Sequence, residues 1–168
     1  MRILGVDPGL RATGYALLQG SSQGVHLLAS GVIRTDDGVP LPARLRQIHA
    51  ALGRVIAEGE PEALAVEDLF AAQRFPRTAI VMGHVRGVVC LAAAEQDVAV
   101  DALSPAAAKQ AIAGFGGASK AQIQRSVRQV LHLGAPVDPH AADAAALALV
   151  ALSRRGVPLV AVPREAAR

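Results

Sequence analysis

The sequence predicts one α/β domain built on a five-stranded mixed sheet with helices on both faces. Three short runs rich in Val, Ile and Leu come first, separated by glycine-containing turns, and they predict an antiparallel meander. Two further strand-like runs then alternate with helical patterns, and this order indicates parallel pairing. A chain of 168 residues, 52% of them hydrophobic, is long enough to bury one core.

The first half of the chain predicts three strands and a helix. The strands cover residues 3–6, 14–18 and 25–33, with turns at Pro8-Gly9 and at residues 20–22. Apolar residues spaced by three or four then predict a helix that starts near Leu41 and ends at residues 59–61. Arg44, Arg46 and Arg54 lie off this apolar stripe.

The second half predicts a strand over residues 64–66, a helix over 78–96, a strand over 98–103 and a new helix from Ser104-Pro105. A glycine loop at 114–117 precedes a helix over 119–133, with Ser119 as its N-cap and Gly134 as its stop. An alanine-rich helix starts near Pro139. This order matches the ribonuclease H-like fold, with one domain over 1–155 and a partly disordered tail over 156–168.

The composition indicates which partners and which cellular location to expect for the protein. The net charge of +3 and pI of about 9.7 predict a basic surface that suits a polyanion such as nucleic acid. Cys90 is the only cysteine, so no intrachain disulfide forms and a reducing cytoplasm is expected. The apolar stretch at residues 1–6 is too short for a signal peptide, and residues 79–94 are too few to span a bilayer, so no membrane partner is predicted.

Candidate metal-binding residues lie at the ends of two predicted strands and at the start of a predicted helix. Asp7 ends the first strand and Glu67 ends the fourth, while His140 and Asp143 are three apart at a helix start and share a helix face. Phosphodiester cleavage uses two divalent ions about 4 Å apart. Carboxylates from separate segments are suitable ligands for Mg²⁺ or Mn²⁺.

Simpler interpretations exist for each of these residues. A carboxylate at a strand end can cap a helix or solvate a turn, and a histidine at a helix start can bond to backbone or water. Asp138 is the predicted N-cap of the last helix. Asp68 should point to the sheet face opposite Glu67, since side chains alternate along a strand.

Short motifs occur in a characteristic order along the chain. They are Gly5-Val6-Asp7-Pro8-Gly9, Thr13-Gly14-Tyr15, Leu41-Pro42-Ala43-Arg44-Leu45, Ala65-Val66-Glu67-Asp68-Leu69-Phe70, Gly83-His84-Val85-Arg86-Gly87, Lys109-Gln110, Ser119-Lys120-Ala121-Gln122 and Ala141-Ala142-Asp143-Ala144. By these motifs the chain resembles RuvC-type Holliday-junction resolvases over about residues 1–150.

The resemblance implies a metal-dependent endonuclease that resolves four-way DNA junctions by paired nicks in recombination and repair. It assigns metal binding and catalysis to Asp7, Glu67, His140 and Asp143, with two Mg²⁺ or Mn²⁺ ions per site. Many RuvC proteins have Asp at the position of His140. Because histidine departs from this pattern, two roles are left for His140, as a metal ligand or as a proton donor. The resemblance also implies cooperation with the RuvA and RuvB branch-migration proteins.

A second group of residues is predicted to contact DNA. Aromatic and basic side chains alternate after Glu67, which suits stacking on unpaired bases, and further cations surround the glycine loop. The group comprises Phe70, Arg74, Phe75, Arg77, Lys109, Phe115, Lys120, Arg125 and Arg128. The resemblance implies that Phe70 stacks on a base in the opened junction and that Lys109 and Lys120 match basic family positions. The alternatives are that Phe70 and Phe115 pack structurally and that Arg125 and Arg128 form a solvated helix face.

A junction of approximate twofold symmetry suits a homodimer, and the apolar helix over 78–96 is the predicted interface unless ordinary burial accounts for it. Three rival functions remain open at this point: a sugar-kinase or actin-like ATPase, a YqgF-type enzyme acting on RNA, and a noncatalytic junction-binding protein. The short chain argues against the first, the Arg/Phe segment against the second, and the complete candidate ligand set against the third.

Overall fold

The computed structural model describes residues 1–68, 76–104, 119–135 and 137–159. The strands in these residues are β1 (Arg2–Asp7), β2 (Ala12–Ser21), β3 (Gly24–Arg34), β4 (Ala63–Glu67) and β5 (Ala99–Leu103). The helices are α1 (Leu41–Gly59), α2 (Pro76–Ala94), α3 (Lys120–Val130) and α4 (Pro139–Arg154). The helix predicted to start at Ser104-Pro105 and the glycine loop after it lie beyond Ser104, outside the described residues.

One mixed sheet forms the centre of the fold, in the order β3-β2-β1-β4-β5. The β1–β2 and β2–β3 pairs are antiparallel, whereas β1–β4 and β4–β5 are parallel. The predicted meander followed by two parallel strands is therefore confirmed. The antiparallel strands are longer than predicted, and β2 continues through Gln19 to Ser21.

The two faces of the sheet carry different helices because side chains alternate along each strand. Leu4 and Val6 of β1 pack in a cluster with residues of α1 and α2. Ile3 lies on the other face, in a cluster built mainly from the alanines and leucines of α4, with Val127 of α3 beside them. The prediction of helices on both faces is confirmed, and Gly5 and Asp7 belong to the α4 side by the same alternation.

The end of helix α3 differs from the sequence prediction, because the residue in the left-handed conformation there is not glycine. Helix α3 ends at Val130, and its left-handed residue is His132, with φ 51°, rather than Gly134. The N–H of Leu133 donates to the carbonyl of Arg128 over 3.0 Å, which closes a Schellman motif. The prediction of Gly134 as the stop was wrong because local hydrogen bonding fixed the turn two residues earlier.

The end of α4 is tied to the sheet edge. Arg155 forms an ion pair of 2.6 Å with Asp101 of β5, and hydrogen bonding to Asp101 raises the pKa of the arginine. Val157 and Leu159 pack against the α4 core cluster. The predicted disorder beyond these residues stays a prediction, because 160–168 lie outside the described part of the chain.

Candidate active site

The parallel pairing of β1 and β4 brings two carboxylates to one edge of the sheet. Val6 lies opposite Val66 in the register, so Asp7 and Glu67 are neighbours at the ends of adjacent strands. Both residues alternate onto the α4 face, since Ala65 packs in the α4 cluster and Glu67 is two residues further on. Both are partly buried. The sheet therefore aims these two predicted site residues at the same space.

The start of α4 places His140 and Asp143 beside that edge. Asp138 is the N-cap, and its side chain accepts a hydrogen bond from the His140 backbone N–H over 2.9 Å, as the sequence predicted. Asp138 is itself held by Arg34 at the end of β3, with 2.7 Å between their side chains. Asp143 follows one turn later on α4 and is partly buried.

His140 is in direct contact with Asp7. Its Nδ1 lies 3.2 Å from Oδ2 of Asp7, and the two side chains are 41% and 22% exposed. With Asp7 ionised, a carboxylate that only accepts hydrogen bonds, this contact requires the tautomer with Nδ1–H, and Nε2 is then the ring nitrogen left for another partner. This contact joins residues 133 positions apart in the sequence.

Two glycines allow α4 to lie directly on the sheet. A methyl group on Gly5 would collide with the backbone of Ala144, and one on Gly14 would collide with the backbone of His140. The helix runs antiparallel to β1, with His140 at the Asp7 end and Leu152 beside Gly20 at the other. Glycine on the strands therefore faces an alanine-rich helix, and these small residues permit the close approach of α4 to the sheet.

Asp68 does not belong to this group of side chains. It forms an ion pair of 3.3 Å with Arg86 of α2, which packs on the opposite face of the sheet. Arg86 Nε also donates to the backbone carbonyl of Glu67 over 3.3 Å. The prediction that Asp68 points away from Glu67 is confirmed.

The donor set is chemically suited to a hard divalent cation. The four candidate donors, three carboxylates and one imidazole, are carried by β1, β4 and the start of α4. Carboxylate oxygens are typical ligands of Mg²⁺ and Mn²⁺. The N-terminus of α4 adds a partial positive charge that favours an anion such as phosphate. Among the described residues, no three His, Cys, Asp or Glu side chains already lie close enough together to form a metal cluster.

Most of the predicted DNA contacts lie outside the described side chains. This applies to Phe70, Arg74, Phe75, Arg77, Lys109, Phe115 and Lys120. Arg125 and Arg128 are exposed on α3 and line a groove of about 380 Å³ that reaches Ala142 of α4. Their position is compatible with a phosphate contact and with a solvated helix face, so both interpretations stay open.

Sequence reasoning missed Arg44. The helical pattern placed it off the apolar stripe of α1, yet its side chain is only 8% exposed. Its partners come from Leu10, Thr35 and Asp37, which no helical periodicity could have indicated. A groove of about 520 Å³ beside the site, lined by Leu10, Arg11 and His140 among others, was also not predicted.

Comparison with known proteins gives one consistent result. The family model for "Crossover junction endodeoxyribonuclease RuvC" matches residues 3–151. The RuvC crossover junction endodeoxyribonuclease of Rhodopirellula baltica is 44% identical over 148 residues, covering 88% of this chain and 83% of the relative.

Solved structures agree in fold. Thermus thermophilus RuvC in complex with Holliday junction substrate superposes with a TM-score of 0.86 at 36% identity, covering 93% of this chain and 96% of that one. The yeast mitochondrial Holliday junction resolvase Ydc2 has a TM-score of 0.62 at 16% identity, covering 89% and 75%, and at that identity it supports the fold alone. With the family model matching almost the whole sheet and nearly all of the described helices, this chain belongs to the RuvC family of crossover junction endodeoxyribonucleases.

Proposed function

We propose that this chain cuts four-way DNA junctions at the edge of the sheet formed by Asp7 and Glu67. It is a crossover junction endodeoxyribonuclease, which resolves Holliday junctions by nicking opposed strands in homologous recombination and DNA repair. The observation that carries the assignment of the site is the register of β1 and β4, which sets the two carboxylates side by side facing α4. Membership of the RuvC family argues against the ATPase and YqgF-type alternatives.

The RuvC family depends on divalent metal ions, and this chain offers Asp7, Glu67, His140 and Asp143 to hold them. Bound metal would activate water and stabilise charge on the phosphorane. We infer two ions per site, with Mg²⁺ or Mn²⁺ as the natural occupants of a carboxylate-rich donor set. The acidic side chains on three separate elements support this inference, because three carboxylates carry more negative charge than one divalent ion compensates, and a bound DNA phosphate adds to it.

The chain's own residues prepare the site in two ways. Asp7 accepts the Nδ1–H of His140, which orients the imidazole and leaves Nε2 available as a ligand, an arrangement that often supports metal-binding histidines. The positive end of the α4 helix dipole favours a phosphate at the same place. The alternative role of His140, donating a proton to the leaving oxygen, uses the same ring position and stays open.

The predicted DNA contacts support substrate binding around this site. Phe70 is proposed to stack on an unpaired base, and Arg74, Phe75, Arg77, Lys109, Phe115, Lys120, Arg125 and Arg128 to complete the DNA contacts. Arg125 and Arg128 are exposed on a helix that packs beside α4, so their charges lie on the same side of the sheet as Asp7. Such contacts hold phosphates without reading sequence.

We also infer a homodimer that uses α2. Val85 and Val89 of this helix are buried in the core, but Ile80 and Leu91 are 62% and 52% exposed. Gly87 lies between these two on the exposed face. Exposed apolar side chains with small residues between them suit an isologous contact with a second copy, and two copies would present two sites to two opposed strands.

Cooperation with RuvA and RuvB follows from family resemblance alone. The described helices include none that is both long enough and apolar enough to cross a bilayer. A cytoplasmic location beside the DNA is the proposal that fits a junction-cutting enzyme with one cysteine.

Cleavage assays with three labelled substrates test this function. We expect a four-way DNA junction to be nicked in two opposed strands with Mg²⁺ or Mn²⁺, while linear duplex DNA and structured RNA of matched length stay intact. Chelation should stop the reaction because the ligand set requires a cation. Junction binding without any cleavage under either metal would support the noncatalytic alternative, and preferential cutting of RNA would support a YqgF-type activity.

The metal preference is expected to depend on His140. An imidazole is a poorer partner than a carboxylate for Mg²⁺, and Mn²⁺ ranks higher at mixed nitrogen and oxygen sites. Wild type should therefore reach half-maximal cleavage at a lower Mn²⁺ than Mg²⁺ concentration, and His140→Asp should narrow this difference while retaining cleavage. An unchanged ratio of the half-maximal Mg²⁺ and Mn²⁺ concentrations in His140→Asp would exclude His140 as a metal ligand. It would favour a role of His140 as a proton donor or only as a residue at the start of the helix.

A further inference from the structure

Arg44 is a buried charge on α1 whose hydrogen-bond and ion-pair partners within the described part of the chain are Leu10, Thr35 and Asp37. Its side chain is 8% exposed, and it forms an ion pair of 2.9 Å with Asp37. Burying a guanidinium is costly unless it is paired and its N–H groups are satisfied, so its hydrogen bonds indicate what the burial serves.

Those hydrogen bonds lead to the turn that follows Asp7. Arg44 Nε donates to the hydroxyl of Thr35 over 2.8 Å, and one of its terminal nitrogens donates to the carbonyl of Leu10 over 3.2 Å. The Thr35 hydroxyl donates to the same Leu10 carbonyl. The backbone N–H of Thr35 donates to the carbonyl of Arg11 over 3.1 Å. Asp37, the ion-pair partner of Arg44, also pairs with Arg11.

The other end of the turn has a separate attachment. The buried hydroxyl of Thr13 donates to the carbonyl of Gly9 over 2.7 Å. Residues 8–11 are thus held from β2 at Gly9 and from the Arg44 network at Leu10 and Arg11. Asp7 is the last residue of β1, and this turn continues directly from it, so both attachments hold the backbone that follows Asp7.

We propose that Arg44 is a positioning residue for Asp7, acting through the turn of residues 8–11. This inference rests on the proposed function of Asp7 as a metal ligand, and it adds a residue from α1, three elements after the strand that carries Asp7. A misplacement of about 1 Å in a catalytic group can cost about 100-fold in rate, so a loosened turn should be visible in the chemistry before it is visible in folding.

The side-chain geometry makes lysine an informative substitution. Arg44→Lys keeps the positive charge near Asp37 but has no planar fork to reach both Thr35 and the Leu10 carbonyl. We expect it to bind junction DNA as wild type does, to cut it about 100-fold more slowly, and to bind Mn²⁺ more weakly in calorimetric titration of the DNA-free protein. Free guanidinium should restore part of the activity of Arg44→Ala.

Arg155→Lys is the matched control. Arg155 also joins a carboxylate and a backbone carbonyl, those of Asp101 and Ala151. It lies at the other end of α4, 15 residues and roughly 22 Å from His140 at the helical rise. Even if Arg155→Lys loses as much thermal stability as Arg44→Lys, we expect its cleavage rate and Mn²⁺ affinity to match those of wild type. This result would separate positioning of Asp7 from general destabilisation.

Thr35→Val provides a second route if the arginine variants fold poorly. It removes the shared hydroxyl with little change of shape, and its effect on cleavage should not add to that of Arg44→Lys, since both act on one network. Wild-type cleavage and Mn²⁺ affinity in folded Arg44→Lys and Thr35→Val would overturn the inference. Absence of cleavage by wild type would instead overturn the proposed function, so the two failures are distinguishable.

Discussion

Asp7→Asn is expected to abolish junction cleavage while junction binding stays intact. The substitution removes one negative ligand at the edge where β1 and β4 meet, and an amide oxygen is a weaker ligand for a divalent cation. Loss of a group that only supports a metal ligand lowers metal affinity or activity roughly 10- to 100-fold. The loss for Asp7 itself should exceed that range in single-turnover cleavage of a labelled junction.

The fold should tolerate this change. Adjacent strands lie about 4.8 Å apart, so Asp7 and Glu67 repel each other, and removing one charge relieves that repulsion. The side chain of Asn is the same size and can still accept a hydrogen bond from Nδ1–H of His140. We therefore expect a thermal unfolding midpoint no lower than that of wild type, and an unchanged dissociation constant for the junction.

Asp68→Asn is the matched control for this experiment. Asp68 follows Glu67 directly but pairs with Arg86 on the opposite face of the sheet. Its neutralisation removes the same charge from a residue directly after β4, the strand that pairs with β1, so a similar fall in cleavage would mean that net charge rather than metal ligation explains the result. Wild-type turnover by Asp7→Asn would remove this residue from the mechanism.

The sheet and its acidic edge were predictable because both follow from local patterns. Short apolar runs identified each strand, and the order of elements indicated which pairs are parallel. Parallel strands end at the same edge, so Asp7 and Glu67 could be expected side by side before the register was known. Asp138 as an N-cap followed from residue type and position alone.

The remaining features depend on contacts between distant segments. The Arg44 network joins α1 to residues 10, 35 and 37, and helical periodicity records only whether a residue lies on the apolar stripe. The contact between His140 and Asp7 requires the exact placement of α4 along β1. The left-handed His132 follows from a hydrogen bond at the end of α3, whereas sequence statistics favour glycine at such positions.

The contact between α4 and the sheet links stability to the site. The same helix carries the core alanines and leucines and presents His140 and Asp143 at its first turns. A shift of α4 along or away from β1 must therefore move two predicted ligands relative to Asp7 and Glu67. Gly5 is the position on β1 where that distance is most tightly set, since its α-carbon faces the backbone of Ala144.

Gly53→Ala is the reference for testing this contact, because it introduces the same methyl group where there is room. The new Cβ would lie 3.7 Å from the amide nitrogen of Gln96, an ordinary van der Waals distance. Gly53 is inside α1, so alanine should stabilise the protein by roughly 0.5–1 kcal/mol through helix propensity. Cleavage by this variant should match that of wild type.

Gly5→Ala is expected to lower both stability and activity. The added methyl group meets the backbone carbonyl of Ala144, which cannot rotate away as a side chain could, so α4 must shift outward. Overpacking of this kind costs about 1–3 kcal/mol, which for a chain of this size lowers Tm by roughly 2–12 °C. Because His140 and Asp143 move with the helix, cleavage measured well below Tm should fall by about 100-fold. Reduced stability with unchanged cleavage would mean that α4 tolerates displacement and that its residues are not held against Asp7 in the reacting site.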